Sequence, residues 1–196
     1  MQNISKKLSV WATIVVVLLL IPLALTLTNP KAHLNGGHGG GWDWSVFDFV
    51  WAFVVLFGAA FAYEFISRKM TNAPYKFAVG IACVATLVMI WINGAVGLVG
   101  DRPINMFYML VPLTGLIGAS ISRFKPHRLS VTLWVMALVQ MLIPTAALII
   151  NPHDFSPGIP QVFGLNAFFA MLFIFSASLF RHSAPSTSLQ TNVNNN

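Results

Sequence analysis

Charged side chains are scarce in this chain. Of its 196 residues only 8% are Asp, Glu, Lys or Arg, whereas 57% are hydrophobic and the mean hydropathy is +0.75. A soluble domain carries roughly 25% charged residues, so this composition excludes the soluble class. The chain also has a single cysteine, Cys83, which excludes an intrachain disulfide framework.

The hydrophobic residues are grouped into six continuous runs. They cover residues 8–27, 45–67, 77–99, 106–122, 129–150 and 162–180. Each run has the length of roughly 20 residues that a helix needs to cross a hydrocarbon core of ~30 Å. The runs do not alternate as the strands of a membrane barrel do. The sequence therefore predicts an all-α, polytopic helical bundle with six transmembrane helices in one domain, residues 1–182, followed by a polar, disordered tail, residues 183–196.

Lysine and arginine are distributed unevenly between the loops. With the N-terminus inside, nine of them fall on the inner face, while the outer face holds only Lys31 and Arg102. Basic loops stay in the cytoplasm, so the sequence predicts that both termini are cytoplasmic. The basic residues are spread over short loops and the tail, and the sequence predicts no basic helix or patch that could follow a phosphate backbone, so a nucleic acid is not expected as partner. The expected partners are the lipid bilayer and either another membrane protein or a second copy of the chain.

Small residues recur on one side of several predicted helices. Helix three carries Ala82 and Gly97 on the same side as Asn93, and helix four carries Gly115 and Gly118. Small side chains allow helix backbones to approach closely, and an asparagine in hydrocarbon needs a hydrogen-bonding partner. We therefore expect helices two, three and four to form the compact core.

The segment 91–108, "WINGAVGLVGDRPINMFY", has two interpretations, a turn between helices or part of a site. Gly100 is expected near the end of helix three, and Pro103 marks a break. Asn105 is placed to cap the next helix. These features favour the turn.

Three polar side chains within the runs are candidate functional groups, because burying such groups in a membrane is costly. Asp48 and Asn93 lie at similar depth, and with Asp101 and Arg102 above them they would form a polar pocket that opens outward. In the alternative interpretation Asp48 lies at a helix start, where the helix dipole favours a carboxylate. Gln140 is predicted to be an interhelical hydrogen-bond partner.

Histidines in the outer loops suggest a second kind of site. His33, His38 and His153, together with Asp154, offer imidazole and carboxylate ligands that suit Zn, Cu or Fe. A solvated, flexible loop is the favoured alternative, because fixing a glycine-rich segment costs much entropy. No predicted span contains a histidine, so haem is not expected.

Residues 42–125 resemble a group of small bacterial multipass membrane proteins without an assigned activity. The shared pattern is W-[ST]-x-x-DF, then YE, then W-x-NGAVG-x-[IV]-G with an acidic turn and an asparagine. The corresponding residues here are Trp44, Asp48, Phe49, Tyr63, Glu64, the stretch 91–101 and Asn105. In this chain "DRPIN" stands where the proteins of that group have a longer acidic segment. The resemblance implies a bacterial inner membrane and assigns no functional residue.

Two functional hypotheses follow from the sequence. The favoured one is a non-enzymatic inner-membrane protein, either an accessory or assembly subunit or a small-ligand binder, with a polar pocket facing the periplasm. The alternative is a metal-dependent membrane enzyme or metal handler that uses the outer His and Asp residues.

Overall fold

The computed structural model describes residues 4–28, 44–99, 103–150, 155 and 158–183. Within these ranges the chain forms six long α-helices. They are α1 (Ile4–Thr28), α2 (Val46–Ser67), α3 (Ala73–Ala95), α4 (Leu110–Ile121), α5 (Pro126–Ile150) and α6 (Ile159–His182). A 3-10 helix, Pro103–Met109, runs directly into α4, and the two together form one apolar span.

In the described part of the chain, six helical spans are long and apolar enough to cross a membrane. This confirms the predicted fold class, a multipass α-helical membrane protein. The cytoplasmic location of both termini stays a prediction. The chain divides into two compact units, residues 1–66 and residues 67–196, which we call the first and second units and describe separately.

The first unit contains α1 and α2, which meet where α1 begins and α2 approaches its end. Glu64 of α2 is buried, and its carboxylate accepts a hydrogen bond from the Trp11 indole N–H at 3.1 Å. The ammonium group of Lys7 lies 3.2 Å from the same carboxylate. A buried carboxylate is therefore paired with a cation and a neutral donor, as burial of a charge requires.

The second unit is built around α5 and α6. Most of their buried residues recur at alternating steps of four and three, which gives each helix one continuous stripe. On α5 these are Leu129, Leu133, Met136, Gln140, Ile143 and Ala147, and on α6 they are Val162, Asn166, Phe169, Phe173, Ser176 and Phe180. Gln140 and Asn166 meet between the two helices, whereas Met136 also borders Gly115 of α4 and Phe180 borders Tyr75 of α3. We call the interface between α5 and α6 the α5–α6 seam.

Helices α3 and α4 pack on the outside of this pair. α3 packs against α6 and α4 packs against α5, rather than mainly against each other as expected. The expectation was wrong on this point because α5 and α6 supply most of the buried side chains described in this unit. The expected contribution of helix two to the core stays a prediction.

The small-residue side of α4 faces α5. A Cβ at Gly115 would lie 3.0 Å from the Met136 sulfur, and one at Gly118 would overlap the Thr132 side chain. Both glycines therefore allow a close helix crossing, which is the packing role predicted for them.

Candidate functional site

The turn after α3 is organised by one asparagine. α3 ends at Ala95, four residues before the predicted end at residue 99, and Gly97 then adopts φ 72°, which glycine tolerates without steric strain. The backbone N–H groups of Leu98 and Val99 donate to Asn105 Oδ1 at 3.1 and 3.0 Å. The prediction that Asn105 caps the next helix is therefore wrong, because it lies inside the 3-10 helix and binds the preceding turn.

Asn93 lies directly beneath this turn. Its Nδ2 donates to the Asn105 carbonyl oxygen at 3.0 Å, which fixes the orientation of the amide. Its Oδ1 is buried and has no hydrogen-bond partner among the described residues. An amide held by its donor side thus leaves one acceptor unused, and an unpaired buried acceptor costs about 1–3 kcal/mol.

A second group of polar side chains lies one turn deeper. A 3-10 helix has three residues per turn, so Asn105 and Tyr108 lie on the same side, about 6 Å apart along the axis. Tyr108 is fully buried beside the Asn166 side chain. Its hydroxyl group nevertheless forms no hydrogen bond of good geometry with any described residue.

Gln140 and Asn166 complete this deeper group across the α5–α6 seam. Gln140 Nε2 donates to Asn166 Oδ1 at 2.8 Å, and Asn166 Nδ2 donates to the Val162 carbonyl oxygen at 2.8 Å. The predicted interhelical hydrogen bond of Gln140 is therefore confirmed. Gln140 Oε1 is buried without a partner in the described part of the chain.

The sequence interpretation did not single out Asn166 or Tyr108. Asn166 could have been found by the rule that selected Asn93, because it is also a strongly polar residue within a predicted span. Tyr108 carries no such signal, since tyrosine is common at membrane interfaces. Its burial depends on the position of α6, which the sequence does not show.

Asp48 lies at the start of α2 in the first unit. Its Oδ2 accepts hydrogen bonds from the Ser45 backbone N–H and hydroxyl group, both at 2.7 Å. The Asp48 backbone N–H donates back to Ser45 Oγ at 3.3 Å. This reciprocal pair is a capping box, and it satisfies N–H groups that the helix itself cannot pair. The geometry agrees with the helix-start interpretation of Asp48.

The remaining predicted site residues lie outside the described residues. They are Asp101 and Arg102 of the polar pocket, and His33, His38, His153 and Asp154 of the metal site. Across the described ranges, no group of three or more His, Cys, Asp or Glu side chains could hold a metal ion. The Zn, Cu or Fe site stays a prediction, and so does the pairing of Asp48 with Asn93, which belong to different units.

No family model, curated protein or solved structure matches this chain. The resemblance of residues 42–125 to small bacterial membrane proteins stays a prediction. The fold and the geometry define a class, a multipass helical membrane protein whose second unit holds two adjacent groups of polar side chains.

Proposed function

We propose that the protein is a non-enzymatic, multipass protein of a bacterial inner membrane that binds a small polar ligand near Asn93. The observation that carries this proposal is the unpaired, buried Oδ1 of Asn93. The amide is already oriented through its hydrogen bond to Asn105, so a ligand N–H or O–H group would gain a preorganised acceptor.

The deeper polar group supports the same location. The Tyr108 hydroxyl and Gln140 Oε1 are a donor and an acceptor that also form no hydrogen bond of good geometry among the described residues. All three unpaired atoms belong to the same half of the second unit, towards the end where α3 finishes. In the sequence Asp101 and Arg102 come between Val99 and Pro103, and they stay predicted members of this site.

Native mass spectrometry tests this proposal. The full chain is extracted from its own membrane in mild detergent and purified with a tag that binds no metal. We expect the wild type to carry a bound mass other than a phospholipid, and Asn93→Ala to lose it. Asp48→Asn tests whether the site extends to the first unit, as the sequence predicts.

Asn72 provides a matched control. Its Nδ2 donates to the Ser183 carbonyl oxygen at 2.9 Å and its Oδ1 is also buried without a described partner, but it lies at the opposite end of α3. Asn72→Ala should therefore keep the bound mass. Wild-type protein without such a mass, or equal retention in both variants, contradicts the proposal.

Other outcomes of the same experiment support the other hypotheses. A second polypeptide in the complex would make the protein an accessory or assembly subunit. A metal mass that disappears in His33→Ala, His38→Ala or His153→Ala would favour the metal-dependent alternative.

A further inference from the structure

Three loops meet at one end of the second unit. They precede α3, join α4 to α5 and follow α6, the last being described only at Ser183. We call this end, where α3 and α5 begin, the basic end. Tyr75 connects the loops. It is fully buried, its hydroxyl group donates to the Phe124 carbonyl oxygen at 3.1 Å, and its ring meets Phe180 edge-on with centroids 5.1 Å apart.

Further contacts hold the same loops in place. Asn72 donates to the carbonyl oxygen of Ser183, which joins the first loop to the third. Arg181 Nε donates to Ser130 Oγ at 3.2 Å, which joins α6 to α5. The Lys69 ammonium group lies 5.0 Å from the centroid of the Phe124 ring, at cation–π distance. The loops therefore form one hydrogen-bonded surface rather than three independent turns.

This surface carries a high density of positive charge. Its Lys and Arg side chains are all exposed, and they are Arg68, Lys69, Lys76, Arg123, Lys125, Arg128 and Arg181. The described residues from 67 onward contain no Asp or Glu, and the two acidic residues of this unit, Asp101 and Asp154, are outside the described residues.

Exposed apolar side chains lie directly next to these cations along the helices. Phe77 follows Lys76, Ile121 is two residues before Arg123, and Val131 is three residues after Arg128. Their exposed fractions are 68%, 70% and 49%. A cationic surface bordered by exposed apolar helix faces matches a molecule with an anionic head and a hydrocarbon tail. A nucleic acid or a soluble anion would contact only the charged side chains and would leave the apolar ones exposed.

We propose that the basic end binds the phosphate head groups of anionic phospholipids, with the acyl chains lying along the adjacent apolar helix faces. Basic side chains near a membrane surface attract anionic lipids, and here the three loops are fixed relative to one another, so the cations act together. Such a lipid would supply the negative charge that the described part of this unit lacks. This proposal is independent of the ligand proposed near Asn93.

Lipid competition measured by native mass spectrometry tests the proposal. The full chain in detergent is given equal amounts of phosphatidylglycerol and phosphatidylcholine with identical acyl chains. We expect the wild type to bind phosphatidylglycerol in preference, and the preference to fall as ionic strength rises. Binding of both lipids to the same extent by the wild type overturns the proposal without any variant.

The triple variant Lys76→Gln, Lys125→Gln, Arg128→Gln removes three exposed cations that form no hydrogen bond described above. At about fivefold per cation, the preference should fall by well over tenfold. The charge-conserving triple variant Lys76→Arg, Lys125→Arg, Arg128→Lys should retain it. An unchanged preference in the neutral variant, or loss in the charge-conserving one, contradicts the proposal. Displacement of the lipid by inorganic phosphate that clearly exceeds displacement by sodium chloride at equal ionic strength would show a general anion site and also overturn it.

Discussion

Gln140 of α5 and Asn166 of α6 join their side-chain amides across the α5–α6 seam at 2.8 Å, and both are completely buried. Most other residues of the two buried stripes are apolar. Sliding one helix along the other would separate the amides and leave both unpaired in an apolar environment. A single polar layer of this kind therefore determines the register of two helices.

A double-mutant cycle with Gln140→Leu and Asn166→Leu measures this interaction. We expect each single variant to lower the free energy of unfolding by about 1 kcal/mol, and the coupling energy to be about 0.5–2 kcal/mol. Unfolding in mixed micelles by titration with SDS gives the values. Thr145→Val on the exposed side of α5 is the control and should change stability by less than about 0.5 kcal/mol. Additive single effects would show that the amides do not stabilise each other.

Gly118 permits the crossing of α4 and α5, because a Cβ there would overlap Thr132. Gly118→Ala should therefore destabilise the protein by about 1–3 kcal/mol through overpacking, despite the higher helix propensity of alanine. Gly164→Ala is the matched control, since nothing lies within 4 Å of the added Cβ. It should be neutral or stabilising by up to ~1 kcal/mol. Equal thermal stability of the two variants in detergent would contradict this account of the crossing.

The capping box of α2 predicts a specific pattern of variants. Asp48→Ala and Ser45→Ala should each cost about 0.5–2 kcal/mol, and the double variant should cost less than their sum, because the two side chains cap the helix together. Asp48→Glu should retain most of the stability, since glutamate also serves in this position. The same SDS titration measures all four. Equal loss in Asp48→Glu and Asp48→Ala would show that Asp48 does more than begin the helix.

The pairing of Glu64 in the first unit predicts that removing the Lys7 cation costs less stability than removing the Glu64 carboxylate. The Lys7 side chain is 44% exposed, so solvent screens the ion pair and Lys7→Met should cost no more than ~1 kcal/mol. Glu64→Leu should cost more, about 1–3 kcal/mol, because the Trp11 N–H then loses its acceptor. Glu64→Gln keeps an acceptor oxygen and should lie between the two. A larger loss in Lys7→Met than in Glu64→Leu would reverse the assignment.

Reporter fusions test the predicted orientation of the chain. Alkaline phosphatase inserted in the loop 29–43 should be active, and the same enzyme inserted at 122–125 should be inactive, because basic loops are retained in the cytoplasm. Green fluorescent protein at the C-terminus should fluoresce. The opposite pattern would place the basic end on the outer side and contradict the positive-inside assignment.

Hydropathy alone determined the six spans, because a bilayer demands an apolar helix of fixed minimum length wherever the chain crosses. The rule that a polar group in hydrocarbon needs a partner was enough to predict the interhelical bond of Gln140. It did not name Asn166, since choosing the partner requires the register of α5 against α6. Gly115 and Gly118 were recognised as packing residues because small side chains allow helices to approach closely. The sequence did not show that the helix they contact is α5.

The tertiary structure decided the rest. Asn105 looked like a helix cap because its sequence position before an apolar run fits one, but its side chain binds the backbone of the preceding turn. The three basic loops are separated by tens of residues, and tertiary contacts such as those of Tyr75 with Phe124 and Phe180 bring them together. Local composition specifies which segments lie in the membrane. Contacts between distant residues determine which polar groups are left unpaired and which charges act as one surface.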